Sequence, residues 1–270
     1  MADPALACNF THAITRAPGP EVTGGLRAAD TGAPDLDAFL DHHAAYIAAL
    51  RETGSQVVEL PALPAFPDGV FVEDTALCLP EGAVVLRPGA PSRLGEAAQM
   101  APVLARFFPE IRTIGNGFVE GGDLLWTGAE ILAGRSARTD AAGIGELARL
   151  VAPWGHHVRE VETPPGVLHF KTDCSLVGPG MVLATERLAA SGPFEGYQVI
   201  LTAEGEEAAA NAIRFNELVL MPAGFPRTAA RLAEAGCEVR EIPNSEAAKL
   251  DGGMSCLSLR FTPPREGCPV

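Results

Sequence analysis

Residues 48–61, AALRETGSQVVELP, hold the end of an apolar-striped helix, a glycine stop and the opening of a strand. Upstream, Leu36, Phe39, Leu40, Ile47 and Leu50 recur at helical spacing and predict a helix over 35–53, with Gly54 as its C-terminal stop. A strand over 57–60 follows. The same punctuation returns downstream. A helix over 94–108 precedes a strand over 111–114, and a helix over 141–152 precedes a strand over 158–161. A shorter version reads as a strand over 198–202, a helix over 205–213 and a strand over 217–221. The last is a helix over 226–235 with a strand over 238–242. The strand entrances are alike: GSQVVELP at 54–61, HHVREVET at 156–163 and GCEVREIPN at 236–244. Second strands are predicted at 70–79, 118–126, 169–177 and 254–261.

This amounts to about five units at spacings of roughly 40–60 residues, the range of repeat and propeller architectures. Radial repetition leaves only short sheet edges and gathers one strand end from every unit at a common centre. An ordinary α/β sheet with alternating strands and helices would give a similar string. No Ser/Gly-rich or low-complexity linker divides the 270 residues, so a single catalytic domain spanning 1–270 is expected.

Composition narrows the function. With 47% hydrophobic residues the chain can bury a sizeable core, yet no apolar run approaches the roughly 20 residues of a membrane helix. The opening MADPALACNF lacks the basic region and apolar stretch of a signal peptide, so the cytoplasm is the expected compartment. A net charge of −14 argues against nucleic acid and favours a small cationic substrate, although acidity also simply keeps a protein soluble. Cys8, Cys78, Cys174, Cys237, Cys256 and Cys268 are scattered and form no CxxC pair, which reads as reduced, mostly buried thiols. His42, His43, His156 and His157 are expected on helix or loop surfaces. No H-E-x-x-H pattern supports zinc, and neither a metal nor another cofactor is expected.

Four strings place polar groups inside apolar strands. FPDGVFVEDTALCL, 66–79, carries Asp68, Glu73 and Asp74. A buried carboxylate there is costly without a partner, so the alternatives are a binding role or a solvated edge strand. If the string is extended throughout, Asp68 and Asp74 share a face that Glu73 does not. GNGFVEGGDLLW, 115–126, has Glu120 and Asp123 around a Gly-Gly pair, which permits a bulge, a turn or close approach of a ligand. GVLHFKTDCSLV, 166–177, contains His169, which by itself is either structural or a proton carrier. KLDGGMSCLSLRF, 249–261, sets Cys256 behind a Gly-Gly turn, either as a buried thiol or as a nucleophile that the turn exposes to substrate.

In that order, FVEDTALC, FVEGGDLL, LHFKTDCS and LDGGMSCLSLRF resemble the dimethylarginine dimethylaminohydrolases, or dimethylargininases, of the guanidino-modifying superfamily, over about residues 10–262. The resemblance implies a pseudo-fivefold α/β propeller of repeated modules around a central active site. It implies that Cys256 is the nucleophile, His169 the proton donor and general base, and Glu120 the carboxylate orienting His169. It further implies that Asp74, with Glu73 beside it, grips the guanidinium, and that Asp68, Arg93 and Arg138 hold the amino-acid end. Leu26 and Leu250 would meet the α-amino group through their backbone carbonyls, with GGL at 24–26 on a lid loop. The implied reaction is hydrolysis of Nω-methylated arginine to citrulline through a covalent thiouronium. An arginine deiminase or a silent binder of arginine-like cations is the alternative, the former being usually longer by an inserted helical domain. An exposed propeller edge offers a surface for a homodimer.

Overall fold

The computed structural model describes residues 3–264. Its strands form five separate three-stranded sheets. In chain order the strands are β1 His12–Arg16 and β2 Gln56–Leu60; β3 Ala76–Cys78, β4 Ala83–Val85 and β5 Ile111–Thr113; β6 Leu124–Trp126, β7 Ile131–Arg135 and β8 Val158–Glu162; β9 Cys174–Gly178, β10 Met181–Ala184 and β11 Gln198–Leu201; β12 Ile213–Phe215, β13 Leu218–Pro222 and β14 Glu238–Ile242; and β15 Leu259–Phe261. Each sheet has an inner strand antiparallel to its middle strand, which is parallel to an outer one, as in Ala76↔Val85 and Val84↔Arg112. β15, from the far end of the chain, supplies the inner strand beside β1 (His12↔Phe261) and so completes the first unit. These are the units of a pseudo-fivefold α/β propeller, the radial alternative of the sequence reading.

The repeat follows from local physics. The helix Leu36–Glu52 is capped by the Asp35 carboxylate, which accepts from Ala38 N at 2.9 Å. It ends at Gly54, whose φ of +82° suits glycine, and the chain turns into β2. Phe39, His43, Tyr46, Ile47 and Leu50 form its buried stripe. Leu40, assigned to that stripe from its spacing, is 40% exposed instead. His43, expected on the surface, lies within it, and burial pushes its pKa down to about 4, so it is neutral at pH 7. The core is distributed into five clusters of buried side chains rather than one, as expected when every sheet packs on its neighbours.

Three expectations are corrected. The helix over 94–108 is a series of short turns, Pro91–Arg93, Ala97–Gln99 and Ala101–Leu104. Pro102 has no N–H to continue a helical ladder, and Arg93 and Glu96 are drawn inward to pair with each other. The alanine-rich helix over 205–213 is a single 3-10 turn, Glu207–Ala210, after which Ile213 already begins β12. The four second strands start later than their apolar pattern suggests, because a 3-10 turn precedes each: Val72–Thr75, Gly121–Asp123, Phe170–Thr172 and Ser255–Leu257. Every inner strand is therefore entered through a tight turn, and these turns carry the chemistry-bearing residues. β1, β4, β7 and β10 are short and lack a distinct periodic signal, and the sequence pattern does not single them out. Among the described residues, no helix is long and apolar enough to cross a membrane.

Candidate active site

The first entry turn presents Glu73 and Asp74, the second follows Glu120 and contains Asp123, the third follows His169, and the last contains Cys256. The turns are packed closely. A Cβ on Gly121 would lie 2.0 Å from the Glu73 carbonyl oxygen, and one on Gly122 would lie 2.8 Å from the His169 ring. The Gly-Gly pair is therefore what lets three turns meet.

Where they meet is a cavity of about 150 Å³ lined by Leu26, Asp68, Asp74, Arg93, Glu120, Arg138, His169, Leu250 and Cys256. Those are all the residues singled out by resemblance except Glu73. His169 Nε2 and Glu120 Oε2 are 2.6 Å apart, with the carboxylate wholly buried. Glu120 Oε1 accepts from Gly89 N at 3.0 Å and Ala90 N at 3.2 Å, and lies 3.5 Å from the Arg138 guanidinium. Asp123 does not reach toward the thiol. Its oxygens accept from Phe170 N at 2.8 Å and Ser136 Oγ at 2.7 Å, bracing the turn that carries His169. Asp68 accepts from Leu26 N at 2.9 Å and so ties down the 24–26 segment.

Arg93 is more thoroughly engaged than expected for a group that meets a ligand. It donates to both oxygens of buried Glu96, to Asp74 Oδ2 at 2.5 Å and to the Phe71 carbonyl. Asp74 Oδ1 in turn accepts from Gly122 N at 2.8 Å. Glu73 turns toward a second, smaller cavity of about 100 Å³, where its Oε1 accepts from Lys171 Nζ and Arg260 at 2.6 Å each. Its Oε2 is buried and has no partner among the described residues. Of the two acids whose charge acts on the thiol, Glu73 thus keeps one oxygen unengaged, whereas both Asp74 oxygens already accept a hydrogen bond.

The charges decide the resting protonation states. Burial alone would depress the His169 imidazole, but the charges of Asp74 and Asp123 and the bond to Glu120 outweigh it and hold the pKa at about 9. Burial acts to raise Glu120, yet the bond and charge of His169 bring it down to about 2. Cys256 is pushed up to about 12, first by burial and then by Glu73 and Asp74, against a hydrogen bond from Gly253 N. At neutral pH these surroundings therefore favour an imidazolium and an un-ionised thiol. Asp74, Glu120 and His169 each bring a potential ligand atom within 4.8 Å of the others, but the carboxylates already accept from Arg93, Gly122 and the protonated His169.

Stability carries the signature of that imidazolium. His169 titrates at about 9 in the fold against 6.5 for the free side chain. The folded state therefore keeps a proton that the unfolded chain gives up between those values. The His169 contribution is complete below pH 6.5, declines as pH rises and is gone above about 9, and it amounts to about 3 kcal/mol counted once for the pair. The melting-temperature gap between the native chain and His169→Asn should narrow steadily from about pH 6 to about pH 9. A gap that does not change with pH would place the titrating group elsewhere.

Residue types and spacing did not reveal Asn211, which lies just after the 3-10 turn Glu207–Ala210. Its Oδ1 accepts from Ser255 N at 2.9 Å, and its carbonyl accepts from Met254 N, so it braces the turn bearing Cys256. Its equivalence to the acids of the other units was the available signal, hidden by the helix assigned over 205–213. Lys171, Glu96 and Arg260 were likewise missed as partners of the predicted residues.

Comparison with known proteins agrees with this geometry. No family model matches the chain. The N(G),N(G)-dimethylarginine dimethylaminohydrolase of Pseudomonas aeruginosa is 39% identical over 254 residues, covering 93% of this chain and 100% of that protein. The Streptomyces coelicolor enzyme of the same name is 32% identical over 251 residues, covering 92% and 96%. The structure of a cysteine-to-serine variant of the Pseudomonas aeruginosa protein complexed with citrulline superposes with a TM-score of 0.90 at 38% identity, over 93% of this chain and 99% of that one. By this extent of identity and by its five-bladed fold, the chain belongs to the dimethylarginine dimethylaminohydrolase family.

Proposed function

We propose that the protein hydrolyses Nω-methylated arginine, asymmetric dimethylarginine or monomethylarginine, to citrulline and dimethylamine or methylamine. The observation that carries the reading is the joining of Cys256 and the His169–Glu120 pair to Asp74, Arg93 and Arg138 in one small cavity. The names of the two similar proteins and the citrulline in the superposed structure support it.

The chemistry follows from the charges. A guanidinium is cationic, planar and rich in donors, and carboxylates bind it while keeping it protonated. Its charge offsets Glu73 and Asp74, the two charges that oppose ionisation of Cys256, so binding favours loss of the thiol proton to solvent. The thiolate then adds to the guanidinium carbon. His169, already protonated, gives its proton to the departing dimethylamine as the C–N bond breaks, leaving a thiouronium on Cys256. Neutral His169 takes a proton from water as the hydroxide adds to the same carbon. Collapse of that adduct expels the Cys256 thiolate, and the hydroxyl proton passes to the sulfur or to solvent as citrulline is released. Glu120 holds the imidazole in place throughout.

In this reading Asp68, Arg93 and Arg138 hold the amino-acid end, and Leu26 and Leu250 meet the α-amino group. Of the two arginines, Arg138 is the less committed, since its only ion-pair contact among the described residues is Glu120 at 3.5 Å. Arg138→Ala should cost about 1.5–3 kcal/mol in kcat/KM for dimethylarginine and little for a methylguanidine lacking the carboxylate. Equal losses on both would remove Arg138 from carboxylate recognition. We further place the protein in the cytoplasm as a single catalytic domain. A homodimer would cover the exposed Val199 and Leu201 on β11. The direct test of function is incubation with asymmetric dimethylarginine, with free arginine in parallel, and colorimetric assay of citrulline. No citrulline from the methylated substrate would overturn the reading.

A further inference from the structure

A second cavity, of about 480 Å³, adjoins the catalytic one. It has the size and the largely apolar lining of a small-molecule site, with walls that include Val167, Pro222 and Phe225. Its polar lining is Thr172, Arg187, Asn211, Asn244, Ser245 and Asp251, and of these Asn244 is 9% exposed with an Oδ1 that has no partner among the described residues. The two cavities share four residues, Ala28, Leu168, Asp251 and Gly252. Ala28 and Gly252 are small, and Asp251 is tied by its Oδ2 to Ala28 N at 2.6 Å. Leu168, half-buried and held by no side-chain bond, is the bulky part of the partition.

The position of this partition relative to the reaction is informative. Asp68, Arg93 and Arg138, assigned to the amino-acid end, do not line the second cavity. The residues that do line it include those just before His169 and those just before Cys256, namely Gly166–Leu168 and Gly252–Gly253. The leaving nitrogen must come within hydrogen-bond reach of His169. Leu168, which lines both cavities, adjoins His169 in sequence, so the substituents on that nitrogen are the part of the substrate set nearest the shared wall.

We propose that the second cavity is a binding site for Nω substituents larger than two methyl groups, chiefly apolar alkyl chains, and that Leu168 sets how much of it the substrate reaches. This rests on the dimethylarginine reading above and deepens it by naming what determines the leaving group. Size selection of this kind is worth roughly 10–200-fold per methylene in a hydrophobic pocket. The measurement is kcat/KM of the full chain for asymmetric dimethylarginine and for Nω-propylarginine. Because Leu168 precedes His169, the readout is the ratio of the two, which cancels any general loss of activity. Leu168→Ala should raise the propyl-to-dimethyl ratio by about tenfold or more. Phe225→Trp, at a residue that lines the second cavity but not the catalytic one, should lower the ratio and leave dimethylarginine turnover unchanged, and it keeps the test available should Leu168→Ala fold poorly. A ratio unmoved by both substitutions would overturn the site while leaving the dimethylarginine reading standing. Absence of citrulline from dimethylarginine with the native chain would overturn both.

Discussion

Cys256→Ser should lower citrulline formation from dimethylarginine by on the order of 10³-fold or more. A serine hydroxyl is far harder to ionise than a thiol, and this site already holds the thiol itself un-ionised until a cation arrives. The substitution is nearly isosteric in a turn whose position is set by other groups, notably Asn211 Oδ1 on Ser255 N, so the fold and the His169–Glu120 bond should persist. Dimethylarginine should still bind, and calorimetric titration would show it. Turnover near that of the native chain would remove Cys256 from the mechanism. Cys8 is buried and free, and burial raises its pKa to about 11, so its replacement by a small apolar residue should leave turnover nearly unchanged. Cys268, for which the sequence reading expects the same, lies outside the described residues.

Glu73→Gln should lower kcat/KM for dimethylarginine by on the order of 10²–10³-fold, in line with the 3–5 kcal/mol typical of breaking a buried charge pair. The amide oxygen can still accept from Lys171 and Arg260, so the inner end of the side chain keeps its contacts. The other end changes from a buried, unpartnered carboxylate oxygen to an N–H donor, which loses the negative charge that favours a cationic ligand nearby. Two further readouts separate this from general damage. Glu73 is the leading charge that raises the Cys256 pKa, so the variant's free thiol should ionise at lower pH, seen as faster alkylation by iodoacetamide. In a Cys256→Ser background, affinity for neutral citrulline should be nearly retained while affinity for dimethylarginine collapses. Equal weakening of both ligands would make Glu73 structural and return the guanidinium to Asp74.

Much of the site was legible because the repeat is. Four polar residues at the same place in successive units, Asp74, Glu120, His169 and Cys256, are weak signals singly. A radial fold brings one strand end of every unit to the axis, so together they predict a common site. Asn211 escaped because AEGEEAAANAI has the composition of a helix, and only packing against the other turns shortens it to one 3-10 turn. His43 escaped for the converse reason. Its spacing from Phe39 and Ile47 places it on the buried stripe, but residue type suggested water.

The sequence by itself indicated about five units, the helix and strand at the heart of most of them, the resemblance to the family, and nine of the residues that line the small cavity. These depend on periodicity, on turn chemistry and on short strings, all of which are local. Tertiary structure decided how those residues divide their work. Glu73 and Asp74 are adjacent in sequence, yet one is drawn to Lys171 and Arg260 and the other to Arg93 and Gly122, partners contributed by other parts of the fold. The un-ionised thiol, the imidazolium, the committed Arg93 and the Leu168 partition arise likewise from burial and from contacts between units. A buried charge takes its state from whatever surrounds it in space, and no spacing along the chain specifies those neighbours.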